Sequence, residues 1–308
     1  MSTGQGVDLS VVVPTYNRPT ALRECLGALA SQDYPRDRFE VLVVDDGGES
    51  SPAPVIEEVR SRLSVELLTQ AHAGPSRARN LGAGMARGRF LAFTDDDCLP
   101  RPTWLARLAA ALDRAPESIV GGRIVNALAD NPFSSASQMI ADIVYAHYNA
   151  DPENARFFSS NNLAMAAQSY RELGGFDEGF LVLACEDREL CDRWRSAGGR
   201  MIYEPEAMVE HAHPLALPSF VRQHFTYGRG ALHFHRIRAA RASGRMRDEM
   251  SFHANVRNWL EQPFRSRTPL DAMLIATLMV LWQGANVAGF AYEYLARSGY
   301  RPSGDARS

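Results

Sequence analysis

Leu9-Ser10-Val11-Val12-Val13-Pro14-Thr15-Tyr16-Asn17-Arg18 is the stretch on which the fold turns. Leu9–Val13 is an apolar, β-branched run without polar alternation. A half-exposed strand alternates, so such a run implies a strand covered on both faces, as in parallel sheets. The run ends in polar residues, and Pro19 then opens a helix through about Ser31, with Leu22, Leu26 and Leu29 on one face. The same alternation continues outward. Strands are expected at Val41–Val44, Val65–Leu68, Phe90–Thr94 and Ser118–Val125, and helices at Val55–Leu63, Pro75–Met85 and Pro102–Arg114. Strands and helices in this order imply right-handed βαβ units and a mainly parallel, Rossmann-like sheet flanked by helices.

Beyond residue 125 the pattern loosens. Helices are expected at Phe133–Tyr148 and Glu186–Ala197, and a short strand at Met201–Tyr203. From Leu217 to about Arg247 the chain reads as a helical extension rich in Arg and His. Ala272–Trp282 is then uncharged, and that character continues to Tyr292 with Gln283, Asn286 and two glycines as interruptions. A core helix, a dimer contact and a helix lying on a bilayer all fit this composition. Gly, Ser, Arg and Pro from Ser298 onward read as a flexible tail.

Composition narrows the function classes. The 308 residues carry a formal charge of −3, which argues against a nucleic-acid partner. With 45% apolar and 22% charged residues the chain is an ordinary globular one. All 33 basic residues are arginine. That removes a lysine Schiff base, a pyridoxal anchor and a Walker-type lysine, and leaves Arg or protonated His to hold anions. The four cysteines form no CxxC pair, and Met-Ser-Thr-Gly-Gln-Gly has no basic apolar leader. The expected compartment is the cytoplasm, with the inner membrane face as an attachment site.

Three strands end in polar or acidic groups: Thr15 to Arg18, Asp45-Asp46 and Asp95-Asp96-Asp97. Ligands of such sheets bind at the carboxyl ends of the strands. Five aspartates on one edge repel unless a cation or hydrogen-bond donors compensate them.

Val11 to Arg18, Val43-Val44-Asp45-Asp46-Gly47, Arg77-Ala78-Arg79-Asn80, Phe93 to Asp97, Gly174-Gly175-Phe176-Asp177 and Glu186-Asp187 occur in the order of one known family. Over roughly residues 8–215 the chain resembles the family 2 inverting glycosyltransferases of the GT-A fold. The resemblance implies a nucleotide-sugar-binding half at 7–125 and an acceptor-binding half at 126–215; the composition beyond it adds a helical extension at 216–297 and a tail at 298–308. It implies transfer of a sugar from a nucleoside-diphosphate sugar, UDP-linked by expectation, to a hydroxyl acceptor such as a glycan, a lipid-linked sugar or a small molecule. By the same resemblance Pro14, Thr15, Tyr16 and Asp45 line the nucleobase pocket. Arg18, Arg77 and Arg79 are candidates for base, ribose or diphosphate contacts, although two arginines two apart on one helix cannot face the ligand equally. Asp95 falls near the ribose and metal, and Asp96 occupies the variable middle position. Asp97 binds Mn²⁺ or Mg²⁺, with a slip to Asp96 left open. His211 completes the metal site in some members, with His213 as its competitor. Glu186-Asp187 is the acid pair, and Asp187 is the expected base.

The processive members' Gln-x-x-Arg-Trp is missing here, which favours transfer of a single sugar. The Arg and His between Arg222 and Arg247 fit closure over the diphosphate, contact with anionic lipid, or a homodimer contact. Two other classes remain as alternatives: a nucleotidyltransferase that forms the sugar nucleotide, and a catalytically silent nucleotide-sugar-binding protein. The first normally needs a Gly-rich loop with a lysine, and this chain has neither.

Overall fold

β1 (Leu9–Thr15) and β2 (Phe39–Asp45) are buried at every residue in the computed structural model of the chain. The model describes residues 6–180, 184–246, 252, 256–265 and 267–298. The two strands are unalternating because both faces are covered. Val11 and Val13 pack with Leu22, Leu26 and Trp104 in one apolar cluster, while Val12 packs with Leu91, Phe93 and Phe158 in the other.

Helices α1 (Pro19–Leu29), α2 (Ala53–Val59) and α3 (Pro75–Met85) connect β1, β2, β3 (Val65–Thr69) and β4 (Phe90–Phe93). Then follow β5 (Cys98–Pro100), α4 (Trp104–Arg114), β6 (Ser118–Asn126), α5 (Pro132–Tyr148), β7 (Leu163–Ala166), α6 (Ala167–Leu173), α7 (Glu186–Ser196) and β8 (Arg200–His211). The sheet order is β3-β2-β1-β4-β7-β6-β8-β5. The β1–β2, β1–β4, β2–β3 and β6–β8 pairings are parallel. The β4–β7, β6–β7 and β5–β8 pairings are antiparallel. The α/β architecture expected from the sequence is present, and each antiparallel pairing involves β7 or β8.

Two elements extend the sequence reading. The strand expected at Met201–Tyr203 runs from Arg200 to His211. Its register against β6 jumps, with Gly122 opposite Glu204 and Arg123 opposite Met208, so Pro205, Glu206 and Ala207 bulge out. Gly122 permits this: a Cβ there would meet the Ala207 carbonyl oxygen at 1.8 Å. The second element is β5, which pairs Cys98 with His211. Together they carry β8 past the acidic loop.

The chain divides into two compact units, Met1–Leu181 with Glu186–Pro214 and Val182–Cys185 with Leu215–Ser308. The first holds the sheet. The second holds α8 (Leu217–Arg241), α9 (Val256–Glu261) and α10 (Pro269–Ser298). α8 and α10 pack on each other through His224 against Trp282 and an Arg229–Glu293 ion pair of 2.9 Å. The expected tail beyond Ser298, Arg247 and the first five residues lie outside the described residues.

Candidate active site

β1, β2 and β4 point their carboxyl ends the same way, so Thr15, Asp45 and the Asp95–Asp97 loop meet at one edge. Asp96 is fully buried. It accepts a 2.7 Å hydrogen bond from the Thr15 hydroxyl and lies 2.8 Å from Arg18 Nη2. Burial pushes its carboxyl up to about 7, against the pull of Arg18 and Thr15. Asp97, also buried, accepts from Arg18 Nη1 at 2.7 Å. His211 Nε2 lies 3.3 Å from its Oδ1, and His213 Nδ1 lies 3.4 Å from its Oδ2. Burial would raise Asp97, but the two histidines and Arg18 outweigh it and hold the carboxyl well below the usual range. Burial would lower His211, and Asp97 raises it above an ordinary histidine.

The histidine rings stack with centroids 5.2 Å apart and planes within 11°, as expected of alternate residues on one side of an extended chain. One carboxylate oxygen of Asp97 and one nitrogen of each histidine lie within 4.8 Å of one another. This oxygen and nitrogen set fits a single divalent ion.

A second acidic pair joins from α7. The buried Arg79 donates from Nη2 to Asp95 at 2.7 Å and from Nη1 to Glu186 at 3.2 Å. Burial opposes its charge, yet Asp95 and Glu186 raise its pKa further. One guanidinium thus ties the strand-end acids to the Glu186-Asp187 pair. Asp187 is half-buried, and its Oδ1 accepts from the Arg188 amide at 2.7 Å. Burial, then the neighbouring Glu186, pushes the Asp187 carboxyl up to about 7. Arg77, the other arginine of α3, is exposed.

The Gly-Gly-Phe-Asp turn is held against α3 by Asn80. Asn80 Oδ1 accepts from Tyr170 Oη and the Phe176 amide, and its Nδ2 donates to the Phe176 carbonyl. Gly175 has φ +69°, and a Cβ there would meet Asn80 Oδ1 at 2.5 Å. The turn places Phe176 under the Arg79 guanidinium, 5.3 Å from ring centroid to Cζ.

At the β2 end the two aspartates differ. Asp45 accepts from the Gly48 amide at 3.0 Å. Asp46 organises the loop into α3, accepting from the amides of Ala73 and Gly74 and from Gln70 Nε2. Tyr16, 43% exposed, stacks on His72 with centroids 4.3 Å apart. Pro14 is buried in β1, and the Thr15 hydroxyl points to Asp96. His72 is absent from the sequence reading. Its signal was the end of β3, the next parallel strand, whose loop closes on Asp46.

The glycosyl transferase family 2 model matches residues 10–174. The pre-mycofactocin glycosyltransferase of Mycobacterium tuberculosis (strain CDC 1551 / Oshkosh) is 30% identical over 229 residues, covering 73% of this chain and 47% of that protein. The validoxylamine A glucosyltransferase of Streptomyces hygroscopicus subsp. jinggangensis is 30% identical over 256 residues, covering 70% of this chain and 61% of that one. This chain spans about half the length of the curated relatives it matches. Among solved structures, the mannosyltransferase PcManGT from Pyrobaculum calidifontis, in complex with GDP-Man and Mn²⁺, superposes with a TM-score of 0.67 at 19% identity. It covers 94% of this chain and 87% of its own. The fold, the ordered motifs and the family match agree, and the chain belongs to glycosyl transferase family 2.

Proposed function

We propose that this chain is a non-processive, inverting glycosyltransferase that moves a sugar from a nucleoside-diphosphate sugar to a hydroxyl acceptor. The observation that carries the reading is the Arg79 bridge, which joins the Asp95–Asp97 loop to Glu186-Asp187 in one site. Tyr16 and His72 offer a stacking surface for the base beside Asp45. Asp97 with His211 and His213 would hold Mn²⁺ or Mg²⁺. When bound, that ion supplies Lewis-acid neutralisation of the diphosphate. The PcManGT structure carries GDP-Man with Mn²⁺, which supports a nucleotide-sugar donor here.

An alcohol is a poor nucleophile at neutral pH, so the acceptor needs a base. Asp187 takes the hydroxyl proton as the oxygen attacks the anomeric carbon. The bond from that carbon to the diphosphate oxygen breaks, and one displacement inverts the configuration. Arg79 fixes Glu186, and with it the first turn of α7. The exposed apolar face of α10 supports peripheral contact with a membrane, which favours a lipid-linked acceptor.

The test is a thermal-shift screen of nucleoside diphosphates with Mn²⁺ or Mg²⁺, followed by transfer assays. A nucleotide-dependent rise in melting temperature and an inverted product by NMR are expected. Near-wild-type turnover in both Asp97→Ala and Asp187→Asn overturns the site. Release of pyrophosphate instead of nucleoside diphosphate overturns the reaction class.

A further inference from the structure

We propose that Arg18 is an exchangeable counter-cation, which holds Asp96 and Asp97 in the free protein and yields Asp97 to the divalent ion as the donor binds. The inference rests on the metal reading above. Arg18 Nη1 sits 2.7 Å from Asp97 Oδ2, the oxygen that His213 also faces. Its Nη2 sits 2.8 Å from Asp96 Oδ1. The guanidinium thus sits on the carboxylate that both histidines face.

Two adjacent buried carboxylates need a positive partner, and Arg18 supplies it. A divalent ion on Asp97 brings a second positive charge against the guanidinium within a few ångströms, and like charges at that range repel strongly. Arg18 is suited to leave. Its side chain is 48% exposed, and it lies on the loop between β1 and α1. Arg79 makes the contrast: its side chain is 4% exposed and it is clamped between Asp95 and Glu186. Asp96 keeps the Thr15 hydrogen bond when Arg18 turns away. A released guanidinium is a planar fork that matches phosphate oxygens, so Arg18 passes from the carboxylates to the donor's diphosphate. The ion and the diphosphate then bind cooperatively through one side chain, because each favours the same displaced position.

Mn²⁺ binding, read from the loss of the free-ion EPR signal, tests this in the full chain without any turnover. Arg18→Gln is expected to bind Mn²⁺ at least about tenfold more tightly than wild type without nucleotide. Arg18→Lys keeps the positive charge that opposes the ion and is expected to stay within about threefold of wild type without nucleotide. Adding UDP or GDP is expected to tighten Mn²⁺ binding more in wild type than in Arg18→Gln. Equal or weaker Mn²⁺ binding by Arg18→Gln, at an unchanged melting temperature, overturns the exchange but leaves the metal site standing. If Arg18→Gln does not fold, Arg18→Ala decides: Mn²⁺ binding no tighter than wild type without nucleotide, with a UDP- or GDP-induced gain equal to that of wild type, overturns the exchange. Absence of Mn²⁺ binding in every protein, with and without nucleotide, overturns the metal reading and this inference together.

Discussion

Arg77 and Arg79 stand two residues apart on α3, about 200° around the helix, and the fold buries one and exposes the other. The sequence requires that the pair be split, but which arginine faces inward depends on how α3 docks on the sheet. Asp95, Asp96, Asp97, Glu186 and Asp187 were legible as strand-end and helix-start acids. His72 was not, because its place against Tyr16 and Asp46 comes from the meeting of two loops rather than from a local pattern. Asp187 gives the sharpest prediction at this scale. Its carboxyl titrates near 7 and must be ionised to accept a proton, so kcat/KM is expected to fall as pH drops through about 7. The limb is to be measured at saturating Mn²⁺, because protonation of His211 competes with the ion. Asp187→Asn is expected to lower kcat by about 100-fold or more. The linkage sign makes stability a separate check. A carboxyl whose folded pKa lies above its unfolded value stabilises the fold only while protonated, and ionisation removes that contribution as pH rises through the folded pKa. Asp187→Asn should therefore melt no lower than wild type at pH 8 while losing activity. A lower melting temperature with normal kcat would make Asp187 a structural residue.

The strands that read most clearly were those buried on both faces, since an unalternating run of Val and Leu this short suits a strand with no solvent face. β5 was silent because three residues ending in proline carry no period. Glu204-Pro205-Glu206 looks like a strand end, so the sequence alone shows only the first part of β8. The strand resumes after its bulge, and that resumption brings His211 and His213 to Asp97. Asn162 holds the bulge. It is fully buried, and its Nδ2 donates to the carbonyls of Arg123 and Ala207 at 2.9 Å each. Its Oδ1 accepts from Trp104 Nε1 at 2.8 Å. One amide therefore joins β6, β8 and α4, and nothing in its local sequence distinguishes it from Asn161. Asn162→Leu leaves two carbonyls and an indole N–H without these partners, at a cost of about 3 kcal/mol or more. Urea unfolding checks the magnitude. The same variant should bind Mn²⁺ more weakly, because β8 carries His211 and leads directly into His213. A loss below about 1 kcal/mol would show that the bulge stands without Asn162.

At the scale of the whole chain the charge is unevenly shared. The helical unit has 13 arginines against six acids, a formal +7, so the sheet unit carries −10 within the chain's −3. The sequence showed an Arg-rich helix followed by an uncharged one, but left open a core helix, a dimer contact and a membrane surface. Burial along α10 narrows the choice. Ile275, Met279, Trp282 and Glu293 are buried, whereas Leu270, Met273, Val280, Val287, Tyr294 and Leu295 are exposed. The exposed set recurs at helical spacing along about 38 Å, and Asp271 lies outside its arc. The helix is long and apolar enough to cross a bilayer, but it packs on α8, which carries Arg222, Arg229, Arg236, Arg238 and Arg241. A partner that bears charge is costly in hydrocarbon, so a helix lying in the headgroup region with α8 beside it is favoured over a spanning one. The positive unit then suits an anionic leaflet. The full chain is expected to sediment with vesicles of phosphatidylcholine plus about one-third phosphatidylglycerol, and more weakly with phosphatidylcholine alone. Added salt should weaken the binding without abolishing it, because screening removes only the charge contribution. Val280→Glu with Val287→Glu should lose vesicle binding while nucleotide-induced thermal shifts persist. If wild type ignores both kinds of vesicle at low salt and light scattering shows a dimer that this double substitution dissolves, the apolar face belongs to a second copy of the chain.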